Sequence, residues 1–206
     1  MRLALLTSVY SSAMVKTTTK FVGVSMSLYG ASVEYGLHCL LYLVDPPDGV
    51  RPSSRDLAEF QGVSPALIAK LLTQLEKVGI VTASEGVNGG FGLARSASSI
   101  SVLDVVDALE RGKPLFQCRE IRNRCVLNDS SKAKISNRGV CAIHAVMLEG
   151  ERRMRGALAE TSLADIADEV AGKHSDRLVA ARRRWFEDRA RSRRTSSPRT
   201  PTKKGD

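Results

Sequence analysis

Apolar residues recur at helical spacing in several separate segments of the chain. Between residues 32 and 44 they stand three and four positions apart, which predicts a first amphipathic helix that ends before the prolines at 46 and 47. A short helix capped by Ser53 and Ser54 then runs through Phe60, and a longer helix covers residues 64–78. Because a Gly-containing turn joins these two helices, the pattern predicts a helix-turn-helix.

Strand-like alternation replaces the helical spacing after this pair. Ile80 to Thr82 alternate as a strand, Phe91 to Leu93 return as its partner, and the glycine-rich stretch 86–90 joins the two. Further helices are predicted from Ser101 to Leu109, over residues 142–160, and from 161 through 170. The expected fold is therefore mainly α: a winged helix-turn-helix with a long C-terminal helix.

The same patterns divide the chain into five segments. Residues 1–25 form an N-terminal extension rich in Ser and Thr, after which Met26 offers an alternative start. Residues 26–111 form the winged helix-turn-helix DNA-binding domain, and 112–141 a loop that carries cysteines. Residues 142–172 hold the long helix and a final short one. We expect 173–206 to be a basic, largely disordered tail, in which a charged helix could continue around Trp185 and Phe186.

The net charge of +9 lies at the ends of the chain. Residues 26–172 hold 16 basic and 18 acidic residues, whereas 173–206 hold twelve basic and four acidic ones, and 1–25 hold three basic ones. A charge run is usually a solvated tail, and a weak non-specific contact with DNA is the alternative. The case for DNA binding must therefore rest on the core.

Composition excludes several classes of protein. Apolar residues make up 43% of the chain, which argues against wholesale disorder, and no apolar run approaches the roughly 18–20 residues needed to span a bilayer. Four unevenly spaced cysteines do not make a secreted disulfide framework, so we expect a cytoplasmic protein with no membrane partner. Neither a phosphate-binding loop nor a Ser-His-Asp arrangement stands in a plausible setting, which argues against an enzyme.

The second helix of the helix-turn-helix is the expected DNA reader, because a helix of this kind fits the major groove while a wing follows the phosphates beside it. Its leucines and Ile68 form a buried stripe, which leaves small and polar residues on the other surface. The residues expected to contact DNA lie there, at the start of the first helix of the pair and at the wing tip: Ser54, Arg55, Ser64, Ala66, Ala69, Lys70, Thr73, Gln74, Asn88 and Gly89.

A second group of residues has the chemistry of metal ligands. Glu34 and His38 stand four apart on one face of the first helix, a spacing that also suits a simple helix-stabilising contact. Cys118, Cys125 and Cys141 lie in a long segment without other predicted structure. Since thiolates and an imidazole are ligands for iron-sulfur clusters and for zinc, this loop is the candidate metal site.

Residues 26–172 resemble the Rrf2 family of winged-helix iron-sulfur regulators, and most closely its RsrR-type branch. The resemblance rests on motifs that occur in the family's order, including the cysteine loop and the long helix. The others are Val33-Glu34-Tyr35-Gly36-Leu37-His38, the stretch VSPALIAKLL at 63–72, GVNGGFGL at 86–93, SVLDVVDA at 101–108 and TSLAD at 161–165.

The resemblance implies a homodimeric transcription regulator, expected to be a repressor, that binds double-stranded promoter DNA. Helix 142–160 would be the dimerisation helix and would pack against its twin. An iron-sulfur cluster between the subunits would sense redox state or nitrosative and oxidative stress. The implied ligands are Cys118 and Cys141 of one chain with Glu34 and His38 of the other, which would hold a 2Fe-2S cluster.

Departures from the family pattern keep alternatives open. The family's evenly spaced run of three cysteines is absent, so a 4Fe-4S cluster with Cys125 as a third thiolate is an alternative rather than the expectation. Cys141-Ala142-Ile143-His144 resembles the Cys-x-x-His ending of the IscR-type site, which makes His144 the rival of His38. Zinc bound by Cys118, Cys125, Cys141 and His144 is the alternative to a cluster. The alternative function is a zinc- or cluster-binding protein without a DNA-regulatory role.

Overall fold

The computed structural model describes residues 28–86, 88–110, 114–124 and 139–196. The N-terminal extension, with the alternative start at Met26, and Cys125 lie outside the described residues. The mainly α architecture expected from the sequence is confirmed. Its elements are α1 (Ala31–Val44), α2 (Ser54–Gln61), α3 (Pro65–Lys77), β1 (Val81–Ser84), β2 (Gly90–Leu93), α4 (Val102–Glu110), α5 (Ala142–Glu160), α6 (Leu163–Ala171) and α7 (Asp176–Ser196), with 3₁₀ turns at Ala97–Ser99 and Ile121–Arg124.

Helix α1 lies at the centre of the core, where it contacts α3, α4, α6 and the wing strand β2. Leu40 of α1 and Ile68 and Leu72 of α3 are fully buried. On the other side, α1 approaches α4 so closely that a β-carbon on Gly36 would stand 2.5 Å from Cδ1 of Leu109. Helix α1 is therefore close-packed against both α3 and α4.

Helix α6 is fixed to the core through its N-terminus. Ser162 and Asp165 form a reciprocal capping box, and the amide of Leu163 donates to the carbonyl of Ile100 at 2.8 Å. The side chain of Leu163 is 1% exposed. The chain that leaves α5 is thus returned to the base of α4, which places α5 alongside α4.

The C-terminal segment corrects the expectation of a largely disordered tail from residue 173. Residues 176–196 form α7, which packs its aromatic residues against α1 and α2. Phe186 is 3% exposed, and its ring centroid lies 5.1 Å from that of Phe60 and 6.0 Å from that of Tyr42. The helix allowed for around Trp185 and Phe186 is present, and the segment is ordered because arginines on the inner side of α7 pair with Asp45 at the end of α1 and with Asp56 and Glu59 of α2.

Within the described ranges, no helix combines the length and the apolar character that crossing a membrane requires.

Candidate nucleic-acid interface and metal centre

The helix-turn-helix is built by local signals at each helix end. Ser53 caps α2 through a reciprocal box in which its amide donates to Asp56 at 2.8 Å and its hydroxyl accepts from the Asp56 amide at 3.2 Å. Gly62 ends α2 in the left-handed region at φ 67°, where a side chain is disfavoured. Pro65 opens α3, and Ser64 occupies the N-cap position without a side-chain capping bond. These signals fix the angle between α2 and α3.

Helix α3 presents the surface that the sequence predicts for DNA. Ile68, Leu71, Leu72 and Leu75 are buried, and the predicted contact residues lie away from this stripe. Among these contact residues, Thr73 donates its hydroxyl to the carbonyl of Ala69 at 2.9 Å, so that the hydroxyl oxygen still accepts. Exposed members of the set are Ser64, Ala66, Lys70 and Thr73, together with Arg55 of α2 and Asn88 of the wing; Ser54, Ala69, Gln74 and Gly89 are half-buried.

The wing is an antiparallel hairpin of β1 and β2 in which Val81 pairs with Leu93 and Ser84 with Gly90. Its base is joined to the α2 segment, because the amide of Phe91 donates to the carbonyl of Pro52 at 2.9 Å. Gly90 is required at this junction, since a β-carbon there would overlap the carbonyl oxygen of Arg51. Asn88 and Gly89, the predicted wing contacts, lie in the turn that joins the two strands.

The cysteine loop brings three ligand types together at the start of α5. Sγ of Cys118, a carboxylate oxygen of Glu120 and a ring nitrogen of His144 lie within 4.8 Å of one another. Among the described residues, these three side chains are the set whose ligand atoms lie this close together. Cys141, Glu34 and His38 do not belong to it. His144 also stacks near the ring of Phe116, with 5.8 Å between centroids.

Glu120 and Arg122 hold this loop in place. The guanidinium of Arg122 donates to Oε2 of Glu120 at 2.7 and 3.2 Å, and it also reaches the carbonyl of Gly139 at 3.4 Å. Arg122 lowers the pKa of the Glu120 carboxyl, which keeps this side chain anionic. Glu120 adopts φ +46°, a left-handed conformation that is uncommon for a residue with a side chain. Arg122 therefore ties the first part of the loop to the segment that leads into α5.

Cys141 occupies the N-terminus of α5. The backbone amides of His144 and Ile143 lower the pKa of its thiol, and the neighbouring Arg122 lowers it further. A thiol in such a setting is biased toward the thiolate, the form that binds metals. Cys141 and Cys118 are both half-buried.

Glu34 and His38 are both exposed on α1. Their four-residue spacing places them on one side of the helix, as predicted, and within this chain they are not brought to the cysteine loop. Cys39 is different in character, because its side chain is fully buried and its thiol accepts from the Gln61 amide at 3.0 Å. Burial raises the pKa of Cys39 to about 11, so this thiol is a core residue.

Sequence reasoning missed Glu120 and Arg122. Their signal was weak: an acidic and a basic residue two positions apart, the first of them two positions after Cys118. Alternating charges of this kind are common on exposed loops, so nothing in the sequence distinguishes this pair. The folded structure distinguishes this ion pair, because Glu120 lies next to Cys118 and Arg122 lies near Cys141.

Comparison with known proteins identifies the family. Residues 29–169 match the family model described as Rrf2, iron-dependent transcriptional regulator. The protein YffB of Lactococcus lactis subsp. lactis (strain IL1403), whose name describes an HTH-type transcriptional regulator, is 33% identical over 137 residues, which cover 66% of this chain and 85% of that protein.

Solved structures share the fold. IscR of T. potens superposes with a TM-score of 0.53 at 20% identity, over 75% of this chain and 94% of that one. CymR, the global cysteine regulator of B. subtilis, superposes with a TM-score of 0.51 at 19% identity, over 68% and 95%. The matched family is one of transcriptional regulators rather than enzymes. Since the family model spans more than half of the sequence, this chain belongs to the Rrf2 family of DNA-binding transcriptional regulators.

Proposed function

We propose that this regulator is a homodimeric repressor that holds a 2Fe-2S cluster between its subunits and changes its affinity for promoter DNA with redox or nitrosative stress. The observation that carries the proposal is that Arg122 interacts with two half-buried thiols, Cys118 of the loop and Cys141 at the start of a helix whose apolar residues are exposed. A function on promoter DNA also assigns the protein to the cytoplasm.

The dimer is supported by α5. No residue of α5 is buried against the described parts of the chain, although Ile143 and Val146 are 66% and 71% exposed and Met147 is 43% exposed. These three residues share one side of the helix, and such an apolar side marks a protein interface. The C-terminal half of α5 is held to α4 by a bidentate pair between Arg155 and Asp107, at 2.7 and 2.8 Å. This anchor leaves the N-terminal half available to a second copy.

The residues present fit a cluster. Cys118 and Cys141 provide two thiols in one loop, and the α5 N-terminus biases Cys141 toward the thiolate that ligation requires. We propose that the exposed Glu34 and His38 of the second copy complete the ligand set, since α1 presents both on one face. When bound, a 2Fe-2S cluster supplies a one-electron redox centre.

The chain's own route from this site to DNA is α1. This helix carries Glu34 and His38 on its exposed side and packs Leu40 into the core it shares with α3. Two recognition helices must lie about 34 Å apart to read adjacent turns of DNA, so a small shift of α1 changes how well both helices fit.

One observation favours a second candidate, a zinc ion held within a single chain. Cys118, Glu120 and His144 offer sulfur, oxygen and nitrogen within 4.8 Å of one another, which provides three of the four donors that a tetrahedral zinc ion needs. In this alternative His144 replaces His38, and neither Glu34 nor a second subunit is needed for the metal.

Anaerobic purification of the full-length protein separates these candidates. We expect visible absorption, iron and labile sulfide in equal amounts, and dimers by light scattering. Glu34→Ala and His38→Ala should lose or shift the absorption, and His144→Ala should keep it. His174→Ala is the matched control, because it changes the chain's remaining histidine.

Each other outcome is decisive. Colourless protein with one zinc per chain supports the second candidate, and bleaching by His144→Ala alone transfers the ligand role from His38 to His144. A stable monomer without iron or sulfide would overturn the proposal. An electrophoretic shift of promoter DNA that is identical for the oxidised and reduced protein would remove redox control.

A further inference from the structure

Helix α7 adds a net positive charge beside a core whose net charge is slightly negative. Residues 26–172 carry two more acidic than basic residues, whereas α7 carries eight arginines and three acidic residues. Its inward-facing arginines pair with Asp45, Asp56 and Glu59. The other arginines of α7 are exposed, so the docked helix keeps positive charge on its solvent-facing side.

The C-terminal end of α7 lies next to the start of α2 and the base of the wing. Arg193 donates to the Asp56 carboxylate and, at 3.0 Å, to the carbonyl of Arg51. The side chain of Arg51 continues toward the wing, where its Cζ would stand 3.7 Å from a β-carbon on Gly92. Arg51 thus connects the end of α7 to strand β2.

Arg191 and Arg194 are exposed and lie beside the segment that joins α1 to α2, next to residues 48–50. Both line a shallow groove, together with Arg183 and Glu187 of α7 and with Asp48 and Val50 of the α1–α2 segment. Arg191 forms an ion pair with Asp188, one turn earlier on the same helix. Substituting either arginine therefore leaves the ion pairs that dock α7 intact.

We propose that Arg191 and Arg194, with Arg51, bind backbone phosphates of DNA and extend the interface beyond the wing. In a helix-turn-helix the first helix crosses the DNA backbone, which brings phosphates close to the start of α2 and so to this junction. Arginine is well suited to phosphate oxygens, and such contacts strengthen binding without reading sequence. The inference rests on the DNA-binding role described above and goes beyond the family match, which ends at residue 169.

The test compares two double variants of the full-length protein prepared anaerobically. Arg191→Gln with Arg194→Gln removes the proposed contacts. Arg177→Gln with Arg184→Gln is the control, since it removes the same charge from exposed positions nearer the start of α7. The probe is a 30-base-pair duplex enriched by the wild-type protein from a random library, and the measurement is fluorescence anisotropy across a series of salt concentrations.

We expect the first double variant to bind roughly tenfold more weakly per lost contact at 0.1 M salt, with a log–log salt slope less steep by about 0.9 per contact. For this variant, hydroxyl-radical footprinting should show lost protection only at the sugars that flank the segment bound by the helix-turn-helix and the wing. The control double variant should keep the salt slope of the wild-type protein. Equal slopes for the two double variants would overturn the inference while leaving DNA binding intact. If the wild-type protein enriches no duplex, the DNA-binding role itself fails.

Discussion

Removing the Phe186 ring tests whether α7 is a docked helix. The side chain is 3% exposed and packs against Phe60, Tyr42 and Trp185, with ring centroids 5.0 to 6.0 Å away. Phe186→Ala therefore creates a cavity between α7 and the helices beneath it. Substitutions of this kind cost about 3–5 kcal/mol when the surroundings cannot collapse, and less when the helix detaches instead.

The single tryptophan of the chain makes this change visible. Trp185 lies in the same contact, with its ring 5.0 Å from that of Phe60, so its emission reports whether α7 is docked. With a urea dependence near 2 kcal/mol per molar, a loss of about 3 kcal/mol would lower the midpoint of the Trp185 transition by roughly 1.5 M. The titration is carried out at one fixed protein concentration, because dimerisation also contributes to stability.

Leu178→Ala is the matched control, since Leu178 lies on the same helix but is 51% exposed. We expect it to shift the midpoint by less than about 0.3 M, corresponding to roughly 0.5 kcal/mol. Equal shifts for the two variants, or wild-type Trp185 emission at the wavelength of a solvated indole, would refute the docked arrangement of α7.

Three further predictions follow from individual contacts. Gly90→Ala should destabilise the protein by at least about 1 kcal/mol in urea and weaken DNA binding, because the added methyl group overlaps the carbonyl of Arg51. Hydrogen bonds from Ser162 lower the pKa of Asp165, so the charged form stabilises α6 above the ordinary pKa of 3.8, and this contribution is lost as pH falls through the lower folded value. The Tm difference between wild type and Asp165→Asn should therefore be present at pH 7 and shrink at pH 3. Burial raises the pKa of Cys39 to about 11, so iodoacetamide at pH 8 should label this thiol only after guanidinium unfolding, as mass spectrometry would show.

The secondary structure was predictable where apolar spacing is strong. The prediction of a helix at 142–160 coincides with α5, even though this helix buries none of its residues in the single chain. The pattern of Ile143, Val146 and Met147 therefore describes a face that other described elements of the chain do not cover. Sequence periodicity detects an apolar side whether its partner belongs to the same chain or to another.

Helix α7 was less predictable because two effects cancel in its sequence. Trp185, Phe186 and Ala190 mark an inner side, but the arginines around them lower the average hydropathy of the segment. The carboxylates that neutralise those arginines lie more than 120 positions earlier in the chain, so local composition cannot include them. The charge of α7 is neutralised in part by ion pairs between residues far apart in the sequence, and these pairs exist only in the folded chain.

The residue types of the candidate metal site were predictable from the sequence, but their arrangement was not. Cys118, Cys141 and His144 were recognisable as ligand types, whereas Glu120 depends on a left-handed backbone that the sequence does not reveal. The choice between His38 and His144 depends on a second subunit, so a ligand motif in one chain leaves it open.

The hydrogen bond from Arg122 to the carbonyl of Gly139 joins the two ends of the cysteine loop. The positions of Cys118 and Cys141 therefore depend little on the number of residues between these ends. Because the two ends are fastened together, doubling the number of intervening residues would add only about 0.6 kcal/mol of closure entropy. Insertions and deletions between positions 124 and 139 are therefore tolerated more readily than changes at the fastening points. The length of that stretch can therefore vary while Cys118 and Cys141 keep their positions.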